Sequence, residues 1–439
     1  MTLVKSIFTH IYKKKSTYIF FNASNLNMLS ADKKAYGLFM NELSNKNDQE
    51  ENNEFELFAQ KGFLIDDKID EISEERKRRK VRRKCAQKIR KNTIGFMRIS
   101  LTENCNLRCK YCFVNSIFEK KGKMGRDDLI KIMKWFLEIP NNKQPVIQYF
   151  GGEPLLKFNE IMECHSLLQQ CKENGQIISF REEIVTNGTL MTKEMAEYFL
   201  KNNISISFSI DGWKEINDRN RIDAAGHGSF DRVVKGMITY KAAGGRLGAV
   251  VTPTNENMEI FGKIIKYLAE NLKCEEISIN TPQPTKDGWQ VDGRKFAKAM
   301  QDCWKYCTEH NITLNHPANN IVFLINSKIP QTNSCMNLTY GEDINTWGIF
   351  VTSDARISKC VVECDERCTV NFDEFVMDEE YLKWHFEDDI NQNCFKCPGL
   401  NICGGGCSIE RLLSEGKNNI EKCKFFKTMI PWAIQNMAE

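Results

Sequence analysis

Three cysteines, Cys105, Cys109 and Cys112, stand in a C-x3-C-x2-C spacing within Thr102-Glu103-Asn104-Cys105-Asn106-Leu107-Arg108-Cys109-Lys110-Tyr111-Cys112-Phe113. Thiolates are the ligands of iron–sulfur clusters, and a short loop can present three of them to one cube. The fourth iron is then open to a small molecule. A zinc site is the competing reading of the spacing. A second field lies near the other end: Cys394-x2-Cys397-x5-Cys403-x3-Cys407, then Cys423, with Cys335 and Cys360 upstream. Gly404, Gly405 and Gly406 allow a tight turn just before Cys407. Here a rubredoxin-like or zinc-ribbon site competes.

Other residues could hold a small polar molecule. Tyr149-Phe150-Gly151-Gly152-Glu153-Pro154 follows a predicted strand, and its glycines let backbone come close to a ligand while carbonyls and Glu153 accept from an ammonium group. Thr186-Asn187-Gly188 and Ser207-Phe208-Ser209-Ile210-Asp211-Gly212 follow two further strands. Arg221 has the fork that suits a carboxylate.

The elements that must position these groups form a strand–helix series. Strands are predicted at 95–101, 146–150, 183–186, 204–210, 247–251 and 276–280, with helices at 127–138, 193–201 and 261–271 between some of them. Six β/α units in series predict a parallel sheet with right-handed crossovers, curled into a partial barrel. Ligands gather at the carboxyl ends of such strands, where all these motifs fall. Residues 1–92 precede the barrel. They read as a strand at 17–21, a turn, a helix capped near Asp32, a polar loop at 45–53, a helical stretch at 55–60, and a basic run from Arg76 to Lys91. That run is either a solvated connecting helix or a surface for an acidic peptide or nucleic acid. Residues 286–332 read as a helical bridge, and 333–439 as a tail with too little apolar pattern for its own core.

Composition sets the class. The chain has 439 residues, 41% hydrophobic and 27% charged, with a net charge of +3. Its 18 cysteines are clustered and no secretory signal precedes them, which favours metal ligation in a reducing, cytoplasmic setting over disulfides. No run approaches the length of a membrane span. Cys85, Cys164, Cys171, Cys274, Cys303 and Cys307 lack cluster-like context and read as small buried hydrophobes.

The three-cysteine loop, with Tyr111 before its last cysteine, resembles the signature of the radical S-adenosylmethionine (SAM) superfamily. That resemblance implies an α/β partial (β/α)6 TIM-like barrel, with a [4Fe–4S] cluster whose open iron binds SAM and yields a 5′-deoxyadenosyl radical. It implies that Gly151, Gly152 and Glu153 meet the methionine amino group, Asn187 and Ser209 the ribose, Arg221 the carboxylate, and Thr252 the adenine pocket. The C-terminal field resembles a SPASM domain with two auxiliary [4Fe–4S] clusters. One would be held by Cys394, Cys397, Cys403 and Cys423, the other by Cys407, Cys335 and Cys360, with Cys364, Cys368 or an open iron completing it. Ala355 stands where that pattern has glycine. The N-terminal block resembles a small winged-helix peptide-recognition element.

Together these imply an enzyme that modifies a ribosomally made precursor peptide carrying a leader, forming a thioether or another intramolecular crosslink, with flavodoxin or ferredoxin as electron donor. Anaerobic sulfatase maturases are similar, but they carry an aspartate where Val361 follows Cys360. Valine cannot accept a proton, which disfavours formylglycine formation. RNA modification or binding through the basic run is the third reading, and the absence of base-stacking aromatics beside the run counts against it.

Overall fold

The computed structural model describes residues 2–40, 49–90, 94–112, 114, 122–139, 142–280, 291–315, 317–331, 347–358, 360, 369–372, 374–375, 390–407, 410–411, 415 and 417–437. Near the N-terminus lie strands β1 (Leu3–Lys5), β2 (Thr9–Lys14), β3 (Thr17–Asn22) and β4 (Met28–Ala31), helices α1 (Lys33–Met40) and α2 (Gln49–Gln60), and strand β5 (Leu64–Asp66). β2, β3 and β4 form an antiparallel sheet, and β1 pairs with β5. A separate aromatic core of Phe20, Phe39, Phe58 and Phe63 joins this sheet to α1 and α2. Asp32 caps α1 by accepting from the Ala35 amide at 2.8 Å. The polar stretch from Gln49 to Asn53, read from sequence as loop, is the first turn and a half of α2; residues 41–48 lie outside the described residues. The basic run belongs to helix α3 (Glu71–Arg90).

All six predicted barrel strands are present: β6 (Ile94–Thr102), β7 (Val146–Gly151), β8 (Arg181–Thr186), β9 (Ser205–Ser209), β10 (Gly248–Val251) and β11 (Glu276–Ile279). They lie side by side in sequence order and in parallel. Among the crossovers are α4 (Arg126–Glu138), α5 (Phe158–Glu173), α6 (Lys193–Lys201), α7 (Lys214–Asn220), α8 (Phe230–Ala242) and α9 (Phe261–Glu270). One face of the sheet is apolar and covered by helices, with Met97, Ile99, Ile147, Tyr149, Ile184 and Phe208 at 0–1% exposure. The other face sets a polar row among Phe96, Val146 and Phe150. Arg98, Gln148 and Glu183 are register neighbours, joined by bonds of 2.6 Å (Arg98 to Gln148) and 3.0 Å (Gln148 to Glu183).

The sheet runs further than the sequence pattern suggested. After α10 (Gly293–Glu309), strand β12 (Thr313–Asn315) adds a parallel neighbour to β11, and α11 (Pro317–Ser327) follows. The stretch read as a helical bridge thus contains a strand, too short to show a period. On the other edge β13 (Trp347–Val351) runs parallel to β6, and β14 (Arg356–Ser358) and β15 (Thr369–Asn371) continue antiparallel. The C-terminal helix α12 (Ile420–Met437) packs along α10, with Phe296 stacked on Phe425 and Trp304 edge-on to Trp432. The tail therefore shares the barrel's hydrophobic core. Among the described residues no helix is long and apolar enough to cross a membrane.

Candidate cluster sites

The three-cysteine loop leaves β6 at Thr102 and docks on the segment after α7. Leu107 bridges Asp223, the Arg108 amide donates to Ile222 O at 2.6 Å, and the Lys110 amide donates to Asn220 O at 2.9 Å. A buried polar knot fixes the far end. The Tyr111 hydroxyl donates to Asp211, whose carboxylate also takes Nε and Nη2 of Arg221, each at 3.0 Å, and the Thr252 amide at 3.1 Å. Burial works against the Arg221 charge, and Asp211 more than offsets it, so the guanidinium is held charged above its ordinary range. Its charge favours the thiolate of Cys109, against the burial that raises that thiol. Burial likewise pushes Cys105, as a free thiol, up to about 11, although the Leu107 amide donates to its sulfur at 3.3 Å. Three half-buried thiols on one loop, beside a buried cation and an N–H donor, fit a thiolate-held cluster.

The two glycines before Glu153 serve a contact the sequence reading did not foresee. A Cβ on Gly151 would lie 2.2 Å from Thr102 O, and one on Gly152 would lie 2.1 Å from Asn104 O. The Gly152 amide donates to Thr102 O at 2.7 Å, and the Glu153 amide to Asn104 O at 2.9 Å. The close approach is thus to the backbone of the cysteine loop. The Glu153 carboxylate is also engaged, accepting from Leu155 N (3.0 Å), Thr186 Oγ1 (2.6 Å) and Asn187 N (2.8 Å). Asn187 donates to Asn106 Oδ1 at 2.9 Å and lies 3.7 Å from the Cys105 sulfur. Ser209 ends β9 on the face opposite Phe208. The structure therefore gathers Gly151, Gly152, Glu153, Asn187 and Arg221 against the cysteine loop, with their polar groups largely tied to protein.

Glu103 was not singled out from sequence. It is buried and accepts from the Gly122 amide at 2.5 Å and the Ser353 hydroxyl at 2.6 Å. Ser353 lies in the β13–β14 turn that leads to Cys360, so Glu103 ties the first cysteine loop to the C-terminal field. The next residue in that turn but one, Ala355, has φ +67°, the left-handed conformation that favours glycine.

Cys394, Cys397, Cys403, Cys407 and Cys423 line one cavity of about 40 Å³ with Glu410, Lys422 and Asn418. The Asn418 amide reaches the Cys394 sulfur at 3.4 Å, and the Gly399 amide reaches that of Cys397 at 3.4 Å. Burial pushes the Cys403 thiol up to about 12, and the nearby Lys422 acts in the opposite sense. Lys422 is itself buried, paired with Glu410 at 2.9 Å. Among the described residues no three His, Cys, Asp or Glu side chains converge on a single-ion position. Five cysteines around one cavity supply enough thiolates for either a zinc ion or an iron–sulfur cube. Cys335, Cys364, Cys368 and Val361 lie outside the described residues. Cys164, Cys274, Cys303 and Cys307 are buried, Cys164 beside Tyr149 and Glu182, while Cys171 is half-buried and Cys85 is exposed.

The Radical SAM superfamily profile matches residues 99–268, from β6 into α9. A cysteine-type anaerobic sulfatase-maturating enzyme of Clostridium novyi is 33% identical over 366 residues, 76% of this chain and 94% of its own length. The chain belongs to the radical SAM superfamily. Another relative, the radical SAM cyclopropyl synthase TigE of Paramaledivibacter caminithermalis, is 26% identical over 394 residues, 84% of this chain and 78% of its own. Streptococcus suis SuiB, solved bound to its precursor peptide SuiA, shares the fold over 96% of this chain and 100% of its own, with TM-score 0.56 and 16% identity. The protein is accordingly a radical SAM enzyme, similar to a sulfatase-maturating enzyme and a cyclopropyl synthase, and its family implies a [4Fe–4S] cluster with SAM as cofactor.

Proposed function

We propose that this radical SAM enzyme modifies a leader-bearing, ribosomally made precursor peptide, closing a thioether or another intramolecular crosslink. The observation that carries the reading is the N-terminal domain. Its β2–β3–β4 sheet and paired helices look winged-helix-like, β4 is an edge strand of that sheet, and a hollow lined by Ser16, Thr17, Ser30, Asp32 and Lys33 lies where β3 begins and β4 ends. A leader would add there as a strand. The match to SuiB extends over nearly the whole chain, N-terminal domain included, and SuiB is a protein seen with a precursor peptide.

When bound, the cluster at Cys105, Cys109 and Cys112 supplies, with SAM and one electron from a flavodoxin- or ferredoxin-type donor, a hydrogen-abstracting 5′-deoxyadenosyl radical. The chain's own residues hold and orient. Backbone at Gly151–Glu153, with Asn187, Ser209 and Arg221, frames the SAM site beside the loop. The polar row Arg98–Gln148–Glu183 lines the sheet face on which the peptide is presented. Cys394, Cys397, Cys403 and Cys423 would hold one auxiliary cluster, and Cys407 with Cys335 and Cys360 the other.

The similarity to the Clostridium novyi protein favours one second reading, oxidation of a Cys or Ser side chain to formylglycine. Mass spectrometry separates the two. A short peptide encoded beside the gene, incubated anaerobically with the reduced enzyme and SAM, should lose two hydrogens and keep its sulfur. Loss of sulfur from a cysteine, or a two-hydrogen loss at a serine that leaves an aldehyde reactive to a hydrazine, selects the formylglycine reading, and an unchanged mass with deoxyadenosine formed refutes crosslinking of that peptide.

A further inference from the structure

One face of the basic helix α3 is neither solvated nor available to an outside partner. Arg79 is fully buried. Its guanidinium donates to Asn401 Oδ1 at 2.8 Å, to Gly404 O at 2.9 Å and to Leu400 O at 3.4 Å. These acceptors span the turn that carries Cys403. Asn401, itself fully buried between Cys397 and Cys403, donates back to Ser24 O at 2.8 Å and Glu75 Oε1 at 2.9 Å. The Ser24 hydroxyl donates to Glu75 at 2.5 Å. One turn before Arg79, the Arg76 guanidinium sits 4.7 Å from the ring centre of Phe395, the residue after Cys394, and reaches Gln392 at 3.3 Å. The N-terminal domain thus grips the cysteine field at both of its first two ligand intervals.

A contact meant only to fill space would be apolar, because a buried charge is costly unless something opposes it. Here the carboxylate of Glu75 is shared among Arg78, Arg82 and the Asn401 amide, at 2.9, 3.2 and 2.9 Å. Arg76, Arg79 and Arg83 add further positive charge on the same helix. Burial draws Arg79 down to about 10, and Glu75 and the sulfurs of Cys394 and Cys403 act the other way, so it is charged near neutrality. A thiolate-held cube is negative and becomes more so on reduction, and charge near it sets its potential.

We propose that Arg79 is a positioning residue for the cluster of Cys394, Cys397, Cys403 and Cys423, holding the Leu400–Gly404 turn from the N-terminal domain and raising that cluster's reduction potential with its charge. The inference rests on the auxiliary-cluster reading above. The test uses full-length protein reconstituted anaerobically with iron and sulfide. Wild type, Arg79→Gln, Arg79→Lys and Lys80→Gln, the last a charge control on the exposed side of the helix, are counted for iron and titrated potentiometrically by EPR. The first cluster's response to SAM reports intact folding in each.

Arg79→Gln should lower the reduced-to-oxidised ratio of the auxiliary cluster at least tenfold at fixed potential, a downward shift of about 59 mV for one electron. Arg79→Lys should shift less, and Lys80→Gln not at all. Loss of this cluster from Arg79→Gln with retention in Arg79→Lys upholds the proposal as well. Full iron content with an unmoved midpoint in Arg79→Gln overturns it, as does equal loss from both Arg79 variants with the first cluster intact. Wild-type protein binding only about four irons, one cube's worth, overturns the auxiliary-cluster reading and the inference with it.

Discussion

Replacing Gly152 by alanine tests whether the Gly-Gly-Glu segment sets the geometry of the radical cluster loop. The added Cβ would fall 2.1 Å from Asn104 O, 2.5 Å from Asn104 C and 2.6 Å from Glu103 O, all backbone atoms. An unstrained carbon–oxygen contact needs about 3.3 Å, so the Asn104 carbonyl, one residue before Cys105, must retreat by roughly 1.2 Å. That retreat breaks the 2.9 Å bond from the Glu153 amide and strains the 2.7 Å bond from Gly152 to Thr102. Two hydrogen bonds at about 1 kcal/mol each and an overpacking cost of about 2 kcal/mol give a destabilisation of about 4 kcal/mol. For catalysis a 1 Å misplacement costs on the order of 100-fold. The assays are urea unfolding, iron per chain after anaerobic reconstitution, and the initial rate of 5′-deoxyadenosine release from SAM. Gly262→Ala is the control, since its Cβ meets open space at the start of α9; it should change stability by less than about 1 kcal/mol, towards gain. A Gly152→Ala protein with wild-type iron content and a deoxyadenosine rate within about twofold, on the scale where a 1 Å error costs 100-fold, refutes the claim that these glycines exist for the loop.

Ala355 sits at φ +67° and is buried, so Ala355→Gly trades relieved strain against a lost methyl and should stay within about 1 kcal/mol, whereas the β-branched Ala355→Val should lose more than about 2 kcal/mol; chemical denaturation of both compares them. Glu103→Ala leaves the Gly122 amide and the Ser353 hydroxyl without their acceptor, and should cost about 3 kcal/mol and lower the midpoint of thermal unfolding. Burial pulls the His10 imidazole down to about 4, so the folded chain excludes a proton that the unfolded chain takes up below about 6.5. Stability is then full above that pH and falls as pH drops towards 4, by about 2 kcal/mol between pH 7 and pH 5; His10→Phe should flatten this slope in urea titrations at the two pH values.

The barrel strands were legible because each is a short apolar run bounded by polar turns, as in Val146–Gly151, and because helices with a clear face alternate with them. β2 and β4 were not. Thr-His-Ile-Tyr-Lys-Lys and Met-Leu-Ser-Ala show no alternation, and they become strands by pairing with β3, whose Phe20 enters the aromatic core. β12 offers one buried side chain, Leu314, and no period can be read from one residue. The clustering of cysteines at 105–112 and 394–407 was visible because spacing along the chain is local information. The residues that hold those loops in place were not, since Glu103 meets Ser353 and Arg79 meets Asn401 across 250 and 322 positions. Polar pairs of that kind leave no pattern in either partner's neighbourhood.

The basic run shows why charge density alone is a poor guide to partners. Read as a string, 76–91 offered solvent, an acidic peptide or RNA. Folded into α3, its side chains divide by face. Lys77, Lys80 and Lys84 are exposed, while Arg79 and Arg83 are buried and Arg76 lies over Phe395. Burying arginine is unfavourable unless a counter-charge or a set of carbonyls waits for it, and the carbonyls of Leu400 and Gly404 come from the one segment whose backbone is bent by glycines around four cysteines. A helix that touched this segment through leucines would tolerate any loop of the same volume. A helix that touches it through a guanidinium fork accepts only one arrangement of the acceptors, because the fork's donors are fixed in a plane. The position of the Cys403 turn is therefore specified from the N-terminal domain, through the bonds that join Ser24, Glu75 and Arg79 to Asn401 and Gly404.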